Sequence, residues 1–273
     1  MKKAFSILFL LVIIALASKV WAFGEAIDIT CENGIYHIIL DGKKFENKIK
    51  FISSEQLITN REAHMRSGSV MTINAGFFDP SNQKTISYVV SDGTTVADPL
   101  FNENLLSNSI LRQNIDKIIN RTEFRVVECN SKIHYEIVPH KTPVDFACSI
   151  VTSAQGGPLI LPELRLEEEF FVVKQDGKVV RESASVLSRC ARTIIGLKKT
   201  DKGEEIHILI ITNKNPKTIY EVKDLCEKLG LDKAMAFDGG SSTSLNYKKS
   251  IEVVSTHDAG GRMLKSFLVV GGF

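Results

Sequence analysis

The sequence predicts an α+β fold, a sheet-rich single domain with a few packed helices. Short alternating or β-branched runs recur at 35–40, 70–74, 87–91, 124–127, 133–138, 170–174, 193–197, 206–212, 234–237 and 266–270, most of them bounded by Gly, Asp or Asn. Helical patterns are fewer and lie between clusters of strands instead of alternating with them, which argues against a doubly wound sheet. The 273-residue chain is 44% hydrophobic and 24% charged, values that exclude disordered, collagen-like and multi-span membrane classes.

The elements follow in order. Lys2 and Lys3 precede an apolar run from Ala4 to Ala17 broken only by Ser6, and Val20-Trp21-Ala22 ends in a small residue at a cleavage offset. A run of fourteen residues is short for a bilayer span and suits a signal-peptide core, so residues 1–22 are expected to direct export to the periplasm or medium. An uncleaved anchor is the other reading, because Trp21 and Phe23 extend the apolar stretch. One main domain is expected over 24–273, with the motif-bearing region at 70–273. Helices are expected over 55–66 and 103–119, the latter with Leu111, Ile115 and Ile118 on one face. A third is marked by Val222, Leu225, Cys226 and Leu229, with Thr218 and Glu221 as a capping box and Gly230 as the stop.

Charge and cysteines limit the function classes. Removing residues 1–22 takes out Lys2, Lys3 and Lys19 and no acid, so the formal balance falls from +2 to −1. The basicity belongs to the export signal, and no nucleic-acid partner is expected. Of the five cysteines, Cys129 and Cys148 are the favoured disulfide pair because they flank one predicted hairpin; the others read as small buried apolar residues. No cofactor is implied. No CxxC, HExxH or dense Asp/Glu run marks a metal, although scattered ligands leave a divalent cation open.

Four glycine-containing segments carry polar groups next to predicted strands. In Asp-Gly-Gly-Ser-Ser-Thr at 238–243, Asp238 is followed by Gly239, Gly240, Ser241, Ser242 and Thr243, a turn able to aim backbone N–H groups at an anion or, more simply, a hairpin turn. Arg192 opens the strand continued by Thr193, placed either to fork a phosphate or carboxylate or to make a rim salt bridge; Arg189 is equally placed. Asn74 ends a strand and offers both a donor and an acceptor, while Phe77 and Phe78 read as core or as a stacking platform and Asp79 as a turn former. Gln155 precedes Gly156, Gly157 and Pro158, either a close backbone approach to a ligand or a plain loop. The acidic run 167–169 reads as a solvated face, and Ser242 lacks the surroundings of a hydrolase nucleophile.

In order and spacing, the segments at 74–78, 156–158, 192–196 and 238–243 resemble those of the phosphodiester glycosidase family. Ile194 stands where the family usually has Ala, Cys190 where Pro or a polar residue is frequent, and Gly240 runs straight into Ser241 where the family has a third glycine. The resemblance implies hydrolysis of a sugar 1-phosphate diester on the sugar side, releasing free sugar and a phosphomonoester from a sugar or glycan substrate. It assigns Asp238 the carboxylate role, as nucleophile or base for water, and Arg192 the phosphate. Gly239 and Gly240 become backbone donors, Asn74 and Gln155 position oxygens, and Ser241 to Thr243 shape the floor. A noncatalytic module that binds anionic glycan is the rival, since the same groups would grip an anion without turnover. A phosphomonoesterase would need a metal or nucleophile cluster that the sequence does not display.

Overall fold

The computed structural model describes residues 27–258 and 260–271. The expected export signal at 1–22 lies outside them.

The described residues form three antiparallel sheets and one hairpin, with short helices between them. The six-stranded sheet runs in the order Ile27–Glu32, Ile35–Asp41, Gly203–Ile211, Arg192–Thr200, Lys233–Ala236, Leu159–Leu161. A five-stranded sheet is ordered Ile251–Val254, Ser244–Tyr247, Met71–Asn74, Leu264–Val270, Ile49–Ile58. The other five-stranded sheet is ordered Thr94–Ala97, Val89–Ser91, Cys148–Gln155, Thr122–Cys129, Lys132–Pro139. All three send side chains into one core, where Ile208, Phe51 and Phe124 are among the buried residues. This shared core makes the chain a sheet-rich α+β domain, as its patterning predicts.

The period-two geometry of strands explains why the central runs are apolar throughout. In Gly203–Ile211, Ile206, Ile208 and Ile210 face the shared core, while Leu209 and Ile211 face the helix Ile219–Lys228 on the other side of the sheet. That helix starts at the expected capping box, with Thr218 and Glu221 satisfying each other's backbone N–H groups, and it ends before Gly230 at φ 68°. Its Val222 and Cys226 are fully buried.

Two helical expectations are corrected. The pattern at 103–119 forms three short helices, Glu103–Ser107, Ser109–Gln113 and Ile115–Ile119. Asn108 breaks the first pair because it adopts an extended backbone and its side-chain oxygen accepts from the N–H groups of Ile110 and Leu111, starting a new helix. At 55–66 the chain is still in the strand Ile49–Ile58 at first. The helix Asn60–Ser67 begins only after Thr59, whose hydroxyl caps Glu62 N.

Cys129 and Cys148 form a disulfide across the paired strands Thr122–Cys129 and Cys148–Gln155. Cys31, Cys190 and Cys226 are free thiols, and only Cys226 is fully buried.

Candidate functional site

Sheet ends place the four segments. Met71–Asn74 and Lys233–Ala236 both end beside the start of Arg192–Thr200, so residues 74, 193 and 238 meet although they are far apart in sequence. Asn74 holds the junction together. Its Oδ1 accepts from Thr193 Oγ1 at 2.7 Å and from Ser244 N at 3.0 Å, while its Nδ2 donates to Asp238 O at 2.6 Å. Phe237 N donates to Thr193 O, and Asp238 N to Ala75 O, which fixes where the strand delivers the aspartate.

Asp238 lines a cavity of about 440 Å³. Burial pushes its carboxyl up from 3.8 to about 6, a rise opposed by a hydrogen bond from Ser242, by the positive charge of Arg262 and by the Gly239 N–H. Arg262 reaches the same turn from the loop before Leu264–Val270: its Nη1 donates to Ser241 Oγ at 2.5 Å and its guanidinium lies 5.5 Å from the centre of the Phe78 ring. Arg121 and Arg181 also line the cavity. Arg121 lies 4.0 Å from the Phe171 ring centre and 5.7 Å from that of Phe77, and Arg181 4.1 Å from that of Phe170. Burial pulls Arg121 down to about 10, so it stays protonated at neutral pH. Three guanidiniums against one lining carboxylate, with the Glu169 carboxylate behind Arg121 offsetting part of its charge, leave the cavity attractive to an anion. Phe77 and Phe78, read from sequence as core or platform, are both: they pack inward and carry arginines.

Two of the other predicted residues, Arg192 and Gln155, are turned away from the cavity. Arg192 is buried, and its Nη2 donates to the carbonyls of Ser185, Val186 and Ser188, its Nε to Lys217 O. It therefore straps down the loop 183–190, whose Ser183, Ser185 and Cys190 form part of the cavity wall. Gln155 is fully buried; its Nε2 donates to Ile119 O and Arg121 O, and its Oε1 accepts from Tyr88 N. Gly240 spends its N–H on Ala191 O, so it is not free for an anion. Gly239 lines the cavity, with Ala191 O 3.1 Å from where a Cβ would stand. Ser241 and Ser242 also face the cavity, whereas Thr193 and Thr243 are buried beneath it.

Gly156 and Gly157 serve the wall instead of the ligand. Gly157 has φ +103°, and a Cβ there would stand 2.3 Å from Glu169 Oε2. Glu169, in a run expected to be solvated, is 2% exposed and accepts from Thr122 Oγ1, Thr122 N and Leu159 N, while Glu167 stays outside and pairs with Lys174. Burial raises the Glu169 carboxyl and these hydrogen bonds oppose the rise. The backbone carbonyl of Glu169 accepts from Arg121 Nε, so Gly157 seats the support of a cavity arginine, while Gly156 lets the chain pass close to Ala236 and Phe237. Asp79 is a turn former as expected: it accepts from Ser81 N, Ser81 Oγ and Asn104 Nδ2.

The sequence reading missed Arg121, Arg181 and Arg262, each a single arginine without a motif. The pairs Phe77-Phe78 and Phe170-Phe171 were the available signal, since paired aromatics at a cavity attract guanidinium groups. Among the described residues no group of three or more His, Cys, Asp or Glu side chains is placed to hold a metal ion.

Comparison with solved structures gives the fold independently. The catalytic domain of zebrafish N-acetylglucosamine-1-phosphodiester alpha-N-acetylglucosaminidase, auto-inhibited by its pro-peptide, superposes with TM-score 0.61 at 12% identity, covering 93% of this chain and 86% of that one. A hypothetical protein from Synechocystis gives 0.56 at 13%, covering 90% and 62%. A candidate exported protein of Burkholderia pseudomallei gives 0.52 at 13%, covering 90% and 74%. No curated protein matches by sequence. The model of one family, described as phosphodiester glycosidase, matches residues 67–271, which include all four glycine-containing segments, and the chain belongs to that family.

Proposed function

We propose that the protein hydrolyses the sugar side of a sugar 1-phosphate diester, releasing free sugar and a phosphomonoester. The observation that carries this reading is the placement of the Asp238 carboxylate on the wall of a cavity that also displays three arginines.

A phosphodiester bears one negative charge, which Arg262, Arg121 and Arg181 hold by charge-assisted hydrogen bonds. Arg192, from its place among backbone carbonyls, acts as a positioning residue for the loop 183–190. When the C1–O bond breaks, its electron pair leaves with the phosphate and C1 acquires oxocarbenium character. Asp238 either attacks C1 to form a glycosyl ester that water then opens, or removes a proton from the water that attacks C1. In both routes the water oxygen ends on C1 and the net proton on a phosphate oxygen. The arginines stabilise the departing phosphate, so a second carboxylic acid is not needed to protonate it. The partial desolvation that raises Asp238 also strengthens its interaction with the developing positive charge.

An exported site of action is supported by the Cys129–Cys148 bridge, which persists in oxidising compartments. Among the described residues no helix is long and apolar enough to cross a membrane.

The test is incubation with glycan phosphodiesters and nucleotide sugars, with free reducing sugar and inorganic phosphate assayed together. Free sugar without inorganic phosphate, lost in Asp238→Asn, is the expected result. Ligand binding without turnover in the wild type would make the protein a binding module, and inorganic phosphate as the first product would make it a phosphomonoesterase.

A further inference from the structure

The cavity has two kinds of wall. Asp238, Ser241, Ser242 and Arg262 make one, while the helical segment 103–119 contributes Leu105, Leu111 and Ile118 to the other. Leu105 and Ile118 pack with Phe170 and Ile86 in a cluster of their own. A sugar hydroxyl laid on that wall would lose its hydrogen bonds to water and gain none, so the sugar belongs at the Asp238 wall. What lies beyond the phosphate then meets the aliphatic wall. Among the described residues of the lining none is an amide and one, Asp238, is a carboxylate, so the cavity offers no paired amide donor and acceptor for the edge of a nucleobase. The outer side of the same segment is apolar too: Leu106 and Ile110 are exposed, Ile110 by 56%. Apolar residues on both the cavity side and the outer side of these short helices suit contact with a hydrocarbon phase better than with water alone.

We infer that the substrate is a sugar 1-phosphate diester of a hydrocarbon-bearing alcohol, whose chain lies along the partly exposed Leu111 and Ile86, with the buried Leu105 and Ile118 packed behind them. This rests on the proposed function of the same site and narrows the leaving group. Arg121, stacked on Phe77 and Phe171, holds the phosphate beside the aliphatic wall, and each methylene buried there adds to affinity without affecting the bond that breaks.

Two measurements on the whole protein test it. The first is titration calorimetry with methyl phosphate, decyl phosphate below its micelle concentration, and uridine monophosphate. Decyl phosphate is expected to bind about 10- to 100-fold more tightly than methyl phosphate, and Leu111→Asp to shrink that ratio. Equal binding of the two alkyl phosphates, or tighter binding of the nucleotide, overturns the inference from the wild-type protein alone, so it stays testable if Leu111→Asp does not fold. The second compares kcat/KM for methyl and decyl diesters of one sugar 1-phosphate, with the gain for decyl expected in KM. Equal values with turnover of both would sink the hydrocarbon inference and leave the hydrolase reading standing. Preferential binding of decyl phosphate without turnover of either diester would do the reverse.

Discussion

Asp238→Asn sets stability against chemistry. The replacement is nearly isosteric, and its side-chain oxygen still accepts from Ser242. In the wild type the fold holds the carboxyl at about 6 against an ordinary value of 3.8, so the folded protein binds this proton more tightly than the unfolded chain. The contribution of a raised group is fully present below its unfolded pKa and is lost as pH rises through the folded value. Above pH 6 the wild type therefore bears the full cost of a desolvated carboxylate, at most about 3 kcal/mol from the interval between the two values. Cavity water screens part of this, leaving about 1–3 kcal/mol, or roughly 3–10 °C in Tm for a chain of this size. Thermal unfolding from pH 3.5 to 8 should show the two proteins level at the acid end, with Asp238→Asn the more stable by that amount at pH 7 and above. Over the same range, free-sugar release by the wild type should fall below about pH 6 as the carboxylate is protonated, and the variant should release none. A variant no more stable than the wild type at pH 8, or a gap that does not change with pH, would show that burial does not govern this carboxyl.

The other predictions concern the supports of the site. Arg262→Ala should raise KM and leave the melting temperature nearly unchanged, because the side chain reaches the cavity from a loop; steady-state kinetics and thermal unfolding check this pair. Arg192→Lys should fail to restore activity lost in Arg192→Ala, since one ammonium cannot span Lys217 O and the three carbonyls of 185, 186 and 188, and proteolysis should then cut within 183–190. Asn74→Ala strands buried groups of Thr193, Ser244 and Asp238 and should cost about 2–4 kcal/mol in denaturant unfolding. Removing the Cys129–Cys148 bridge, whose partners are 19 residues apart, should cost about 2–4 kcal/mol, measured on the double Ala variant.

Much of the fold was legible because its signals are local. The capping box of Thr218 and Glu221 specifies a helix start within four residues, and the isoleucine run of Gly203–Ile211 specifies a strand buried on both faces. The strand Cys148–Gln155 escaped pattern reading because Ser149, Thr152, Ser153 and Gln155 break its apolar period. Thr152 and Gln155 are matched only by distant chain: Thr152 Oγ1 donates to Val90 O and accepts from Phe51 N of the other five-stranded sheet, and Gln155 bonds Tyr88, Ile119 and Arg121. The single helix expected at 103–119 failed for a local reason instead, as Asn108 competes for the backbone donors that would have continued it.

The site divides in the same way. Sequence by itself determined that Asn74, Thr193 and Asp238 lie at strand ends, because strand periodicity and the turn-forming glycines beside it are written in adjacent residues. It also marked the segments by which the chain resembles its family. Only the tertiary structure decided which polar groups face the ligand. Arg192 turns into backbone carbonyls while Arg121, Arg181 and Arg262 converge on one cavity from separate elements. A side chain's direction depends on what distant segments leave unfilled around it, and the pKa of Asp238 depends on how much water those segments exclude. Neither quantity is a property of neighbouring residues, so neither is readable from them.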